Sequence, residues 1–498
     1  MDTRTAYRSL LLEIGKLDSA VSLLGWDQHT HMPPRGVDAR AAALGKLARL
    51  QFELSTSDEL GGLLEDLEGR EDLSIEERAS VRVVGAEYRR KKAVPASLFE
   101  AFTVARSAAQ SAWAQARQEA DYERFRPHLA KLIDFARQLA ELYGYEDLPY
   151  DALFAEHEPG MTSRRLTEII ESLKAGLVPF LQRLLSEGTA PDASPFDGVF
   201  PVDVQRAFAR RVLEAVGYDF DAGALDDAPH PFTSAFGFGD VRVTNRYRAD
   251  DPLSGLYGAL HEGGHALYAQ GMGEEIFHLR LADGASNGIH ESQSRLIENQ
   301  IGRSRAFWSF IQPLLAEHFP AFRGVDPDAL YRGANVVRPS LIRIEADEVT
   351  YNVHIMVRFE LESGLVNGTI DVDDDLPARW NDAMMRYLGV APANDAEGLL
   401  QDIHWSMGGF GYFPSYMLGN LYAAQMMTVL RADLPDLDGR TAAGDFSGLL
   451  DWLRDKVHRL GAVYEPEDLI RRITGTGLDP AHLVDYVVDK YSEIYRLS

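Results

Sequence analysis

The chain has 498 residues, 45% of them hydrophobic and 25% charged, with a formal charge of −26 and no cysteine. This is the composition of an ordinary globular protein with enough chain for a large core. The excess of acid argues against nucleic acid and anionic membranes as partners, because both need concentrated basic surface. The absence of cysteine excludes disulfides, thiolate metal sites and a cysteine nucleophile.

The N-terminal stretch "MDTRTAYRSLLLEIGKLDSAVSLLGWDQ" carries charges every few residues, with Leu10, Leu11, Ile14, Leu17, Val21 and Leu24 on one side. That pattern predicts an amphipathic helix rather than a signal peptide. No run reaches the roughly 18 apolar residues of a membrane span, so a cytoplasmic location is expected. Amphipathic segments rich in Leu, Ala, Arg and Glu follow to about Ala190, broken at "MPPRG" (32–36) and "AVPAS" (93–97). Between about 191 and 250 the texture changes to Pro, Gly and Phe. In "DVRVT", Val241 and Val243 alternate with Arg242 and Thr244, which predicts a short strand. Helical periodicity then resumes to the C-terminus, with a Gly-rich break at "SMGGFGYFPS" (406–415). The expected fold is mainly α, a single large helical domain over 1–498 with a small β element beside one central helix.

That helix begins at "DDPL", where Asp251 suits an N-cap and Pro252 the first helical position; Gly271 is the expected C-cap. It contains "HEGGHALYAQG" (261–271). His261 and His265, one turn apart on nearly the same face, can share one divalent cation. Glu262, rotated about 100 degrees away, can hold a water rather than the metal. Positions 268, 271 and 272 are Tyr, Gly and Met, so the three-histidine metzincin pattern fails. An open zinc site needs a third protein ligand, and "SNGIHESQSRLIENQIGRS" offers Glu291 or Glu298 on a following helix. Glu291, beside His290, is favoured. The adjacent Gly263 and Gly264 let another backbone approach the ligands, from a substrate or from a packed neighbouring helix.

With these elements in place the sequence resembles the carboxypeptidase Taq family of metallocarboxypeptidases over nearly its whole length. The resemblance rests on "WDQHTHMPP" (26–34), "HPFT" (230–233), "DVRVT" (240–244), "HEGGH" (261–265), "HESQSR" (290–295), "IRIEAD" (342–347), "GLLQDIHW" (398–405) and "GYFPSYMLGN" (411–420). One departure is the pair His29 and His31, read as part of a surface loop beside Pro33 and Pro34. The resemblance implies a helical metallopeptidase fold with a long cleft, a homodimer, and zinc replaceable by cobalt or manganese. It also implies release of single residues from peptides with a free C-terminus, with broad tolerance, and Glu291 as third ligand.

On this reading the cation activates water and Glu262 acts as general base. His404 and Tyr416 are the expected oxyanion donors. A carboxypeptidase also needs a cation for the terminal carboxylate, and an arginine fork suits it. Arg343 is the first choice. Arg242, on a strand that an extended peptide could run beside, is expected to limit substrate length, and His230 to bond the peptide backbone. Asp347, Glu345 and Glu298 compete as partners of the ligand histidines. The rival readings are an endo-acting or dipeptide-releasing oligopeptidase with the same site, and a helical protein with a structural zinc.

Overall fold

The computed structural model describes residues 2–497. The architecture is mainly α, with three short strands among the described residues. The first 190 residues are helix after helix, from Thr3–Thr30 to Ser163–Glu187. Where the sequence suggests one domain, the contacts divide into two compact units, each assembled from three chain segments. The first contains 1–91, 192–334 and 426–475; the second contains 92–191, 335–425 and 476–498. No helix among the described residues is long and apolar enough to cross a membrane.

In the first unit, Asp2 caps the Thr3–Thr30 helix, which buries Tyr7, Leu10, Leu11, Ile14 and Trp26. The helix continues to Thr30, so His29 lies in its last turn and His31 at its C-cap, not in a loop. The proline pair only ends it, as expected for residues that cannot continue the ladder. His31 pairs with Asp226 at 3.2 Å.

The strands are β1 (Leu225–Asp227), β2 (Thr233–Gly237) and β3 (Asp240–Asn245), in the order β1-β3-β2. β1 is parallel to β3, and β2 antiparallel to it with Thr233 opposite Val243. The alternation in "DVRVT" works as read: Val241 and Val243 are buried. The sheet is tied to the Pro252–Gly271 helix by polar contacts. Asn245 donates to the Gly255 carbonyl at 2.8 Å, and the single Thr233 hydroxyl proton is shared between the Glu262 carbonyl at 2.9 Å and the Glu262 carboxylate at 2.8 Å.

The second unit contains the Thr350–Asn367 helix, which is buried nearly all round, and the N-terminal part of the Phe413–Asp433 helix. Between the Leu376–Leu388 helix and Phe413 the chain is irregular apart from a 3₁₀ turn at His404–Met407. This break starts earlier than "SMGGFGYFPS", because Gly389 closes the Leu376–Leu388 helix in the left-handed region and Pro392 follows it.

Candidate metal centre

The helix bearing both histidines starts as its sequence dictates. Asp251 accepts from the Ser254 N–H, and Pro252 occupies the first turn. The helix ends one residue later than expected, with Met272 as C-cap. Gly271 is still helical, and a Cβ there would lie 2.3 Å from the His458 ring. The two interior glycines cost the helix roughly 0.8–1 kcal/mol each, and the structure gives the reason. A Cβ on Gly264 would meet the Gln293 carbonyl oxygen at 2.5 Å and the Ser294 Cα at 2.6 Å, while one on Gly263 would meet Leu213 at 2.5 Å. The backbone that approaches is therefore that of the Asn287–Arg295 helix, the element carrying Glu291.

That approach brings three donors together. Glu291 Oε2 lies 3.7 Å from His261 Nε2 and 3.5 Å from His265 Nε2, and one ligand atom from each residue falls within 4.8 Å of the others. Zinc–ligand bonds of about 2.0–2.1 Å in tetrahedral geometry separate neighbouring donors by roughly 3.3–3.4 Å, so the set fits a divalent cation. Among the described residues the cluster offers three donor side chains. A structural zinc normally takes four, and an open catalytic site three.

The groups behind the donors orient them. His261 Nδ1 is 2.9 Å from Glu298 Oε2, and a proton on Nδ1 leaves the Nε2 lone pair facing the cluster. Glu298 is thus the partner the sequence left open. Asp347 instead accepts the Val349 and Thr350 N–H groups at the start of the Thr350–Asn367 helix and the N–H of Arg338, and Glu345 is exposed. His265 Nδ1 meets His290 Nδ1 at 2.6 Å. Burial, reinforced by His265, pushes His290 down to about 3, so it is neutral and can accept the His265 proton. Arg295 takes Glu291 Oε1 at 2.7 Å and Glu298 Oε2 at 3.2 Å, which leaves Glu291 Oε2 for the cluster. Burial opposes ionisation of Glu291, but Arg295 and His261 outweigh it and hold the carboxyl well below its ordinary range. The helix bearing Glu291 passes into a π-helical turn at Leu296–Ile301, which contains Glu298; such turns gather at functional sites.

Glu262 is not among the three donors. It is 7% exposed, and its Oε2 accepts from the Thr233 hydroxyl at 2.8 Å. Thr233, Arg295 and the role of His290 escaped the sequence reading. Their only signal was membership of "HPFT" and "HESQSR", which says nothing about which atoms meet.

The remaining sequence candidates fall in both units. His230 is exposed on the loop before β2. Arg242 forks onto Asp240 and lies over the Trp26 and Phe236 rings. Its strand is not available to a peptide as expected. β3 is central, with the Val241 carbonyl and Val243 N–H engaged by Tyr218 and Ala224 on one side, and the Thr244 N–H by Phe232 on the other. Sequence alternation marks a strand but not its place in the sheet. Arg343, in the second unit, is 5% exposed and does not pair with Asp347. "IRIEAD" forms a 3₁₀ turn at Arg343–Glu345 rather than an α-helix, so the i,i+4 geometry is absent. Its fork grips Asp402 instead, with Nη2 at 2.8 Å, while Nη1 donates to Tyr351 at 2.9 Å. His404 Nε2 is 3.4 Å from the Tyr416 hydroxyl. Burial, with Arg343 nearby, pushes His404 down to about 4.

A mainly helical fold with an HExxH helix, a glutamate from a second helix and a three-donor cluster is that of a metallopeptidase. Residues 6–491 match the model of the carboxypeptidase Taq (M32) metallopeptidase family, and the chain belongs to that family. It is a metallocarboxypeptidase, a peptide hydrolase. It is 41% identical to thermostable carboxypeptidase 1 of Thermus thermophilus over 510 residues, covering 99% of this chain and 100% of that one. Its identity to carboxypeptidase 1 of Bacillus subtilis is 39%, covering 99% and 98%. The crystal structure of the M32 carboxypeptidase of Deinococcus radiodurans superposes with a TM-score of 0.96 at 37% identity, covering 99% of this chain and all of the other.

Proposed function

We propose that the cation is zinc, held by His261, His265 and Glu291, and that Glu262 is the general base for removal of single C-terminal residues. The observation that carries this reading is the spacing of Glu291 Oε2 from the two Nε2 atoms, 3.5 and 3.7 Å. A divalent cation held there supplies Lewis acidity, polarising the scissile carbonyl and bringing the pKa of water towards neutrality. The Thr233 hydroxyl holds Glu262 Oε2, leaving Oε1 to take the attacking water's proton and return it to the leaving nitrogen. His404, neutral near pH 7, and Tyr416 donate to the developing oxyanion.

Arg343 is retained for the substrate's terminal carboxylate, as a single-point donor backed by Asp402 rather than a free fork. Arg242, braced by Asp240, bounds the substrate, and His230 contacts its backbone. The homodimer, the cytoplasmic location and replacement of zinc by cobalt or manganese are further proposals resting on the family.

Three measurements test this. Metal analysis should find one zinc per chain. An N-blocked dipeptide should release free amino acid until a chelator is added or its C-terminus is amidated. Glu262→Gln should abolish turnover with folding and metal content intact; retained hydrolysis would reject the general-base role.

A further inference from the structure

One buried carboxylate in the second unit takes no part in the reaction above. Glu362, on the Thr350–Asn367 helix, is 0% exposed. Its Oε1 accepts from the Tyr150 hydroxyl and from the Gly411 N–H, both at 2.8 Å, and its Oε2 from Trp405 Nε1 at 2.6 Å. The nearest cation on its own helix, Arg358, is committed to Asp402 and Gln401. A carboxylate buried without an ion pair is costly, and an apolar side chain would fill the space more cheaply. Burial accordingly pushes the Glu362 carboxyl up to about 7, against the pull of its three donors.

What distinguishes these donors is where they sit. Trp405 directly follows His404. Gly411 stands two residues before the Phe413–Asp433 helix, whose first turn carries Tyr416. One carboxyl group therefore ties both ends of the 405–411 turn. The turn is also seated by its backbone: Gly411 has φ +85°, and a Cβ there would lie 2.9–3.0 Å from main-chain atoms of Leu153 and Phe154. Those residues end the Pro149–Phe154 helix, which carries Tyr150.

We infer that Glu362 is a positioning residue for hydrolysis, holding the 405–411 turn so that His404 and Tyr416 keep the relation needed to stabilise the oxyanion. The inference rests on the oxyanion role given above to those two residues. Glutamine is a sharp probe, because it offers one acceptor oxygen and turns an N–H₂ towards either Trp405 Nε1 or Gly411 N. One tie is lost in either rotamer. Trp405→Phe removes the tie to Oε2 from the other side.

Each of E362Q and W405F should lower kcat about tenfold or more with KM within about threefold, as expected when reacting groups shift by fractions of an ångström. Bound metal should stay at the parent level. The double variant should be no slower than the slower single variant, because both changes cut one link. A folded variant with kcat within twofold of the parent overturns the inference, as does a loss confined to KM or losses that multiply in the double variant. Should E362Q not fold, W405F decides alone. His404→Ala separates the two claims. Undiminished kcat there removes the oxyanion role and this inference with it, whereas an inactive H404A beside fully active E362Q and W405F removes only the inference.

Discussion

Thr233 faces Glu262 across a gap of 2.8 Å, and its hydroxyl can donate to that carboxylate wherever the metal sits. A hydrogen bond to a charged acceptor is worth about 1.5–3 kcal/mol. Removing it lets Glu262, the proposed general base, rotate, so Thr233→Val should lower kcat roughly 10- to 100-fold while leaving KM and bound metal near the parent values. Thr233→Ser, which keeps the oxygen, should recover most of the loss. Equal kcat in all three enzymes would show that the base needs no such support. This residue marks the limit of local reading. His261 and His265 announce themselves because an i,i+4 pair must share a helix face whatever the fold. Thr233 meets Glu262, 29 positions further on, only after the intervening chain has formed a hairpin and docked it.

Helix packing, rather than any one ligand, sets the geometry of the centre. The Pro252–Gly271 and Asn287–Arg295 helices approach until a missing Cβ at Gly264 is filled by the backbone of Gln293 and Ser294. Gly264→Ala would force them apart by part of an ångström. Overpacking of this kind costs about 1–3 kcal/mol, and it draws Glu291 away from both imidazoles. The expected outcome is a lower Tm together with weaker metal binding, measured by competition with a chromogenic chelator. A destabilised variant with parental metal affinity would mean that Glu291 is placed by something other than this contact. The double glycine was visible in the sequence as an anomaly, but whether substrate or protein came close was not. The neighbour decided that.

At the scale of the whole molecule the charge of −26 dominates. Acid neutralises carboxylates and relieves their mutual repulsion, yet paired carboxylates respond the other way. Asp402 is flanked by Arg343 and by the fully buried Arg358; burial raises its pKa, but the two guanidiniums outweigh this and hold it well below the ordinary 3.8. A group whose folded pKa is depressed contributes stability above its unfolded pKa and loses it as pH falls towards the folded value. Wild type should therefore lose this contribution progressively below about pH 4. Asp402→Asn leaves two buried arginines short of a partner, which costs about 3–5 kcal/mol near neutrality. The gap between the two proteins in denaturant unfolding should narrow as pH drops below about 4. A gap independent of pH would show that Asp402 is not ionised in the native state.

The sequence by itself determined whatever depends on short spacing. The capped helix, its histidine pair and adjacent glutamate, the β alternation around Val241 and the predominance of helix all follow from backbone periodicity and side-chain type. Tertiary structure decided whatever depends on which surfaces meet. It selected Glu298 to back His261, turned the Arg343 fork to Asp402, put β3 in the middle of its sheet and gathered three donors onto Glu362. These choices turn on distances between residues tens to hundreds of positions apart. A difference of one ångström there separates a ligand from a salt bridge, and no local pattern carries that information.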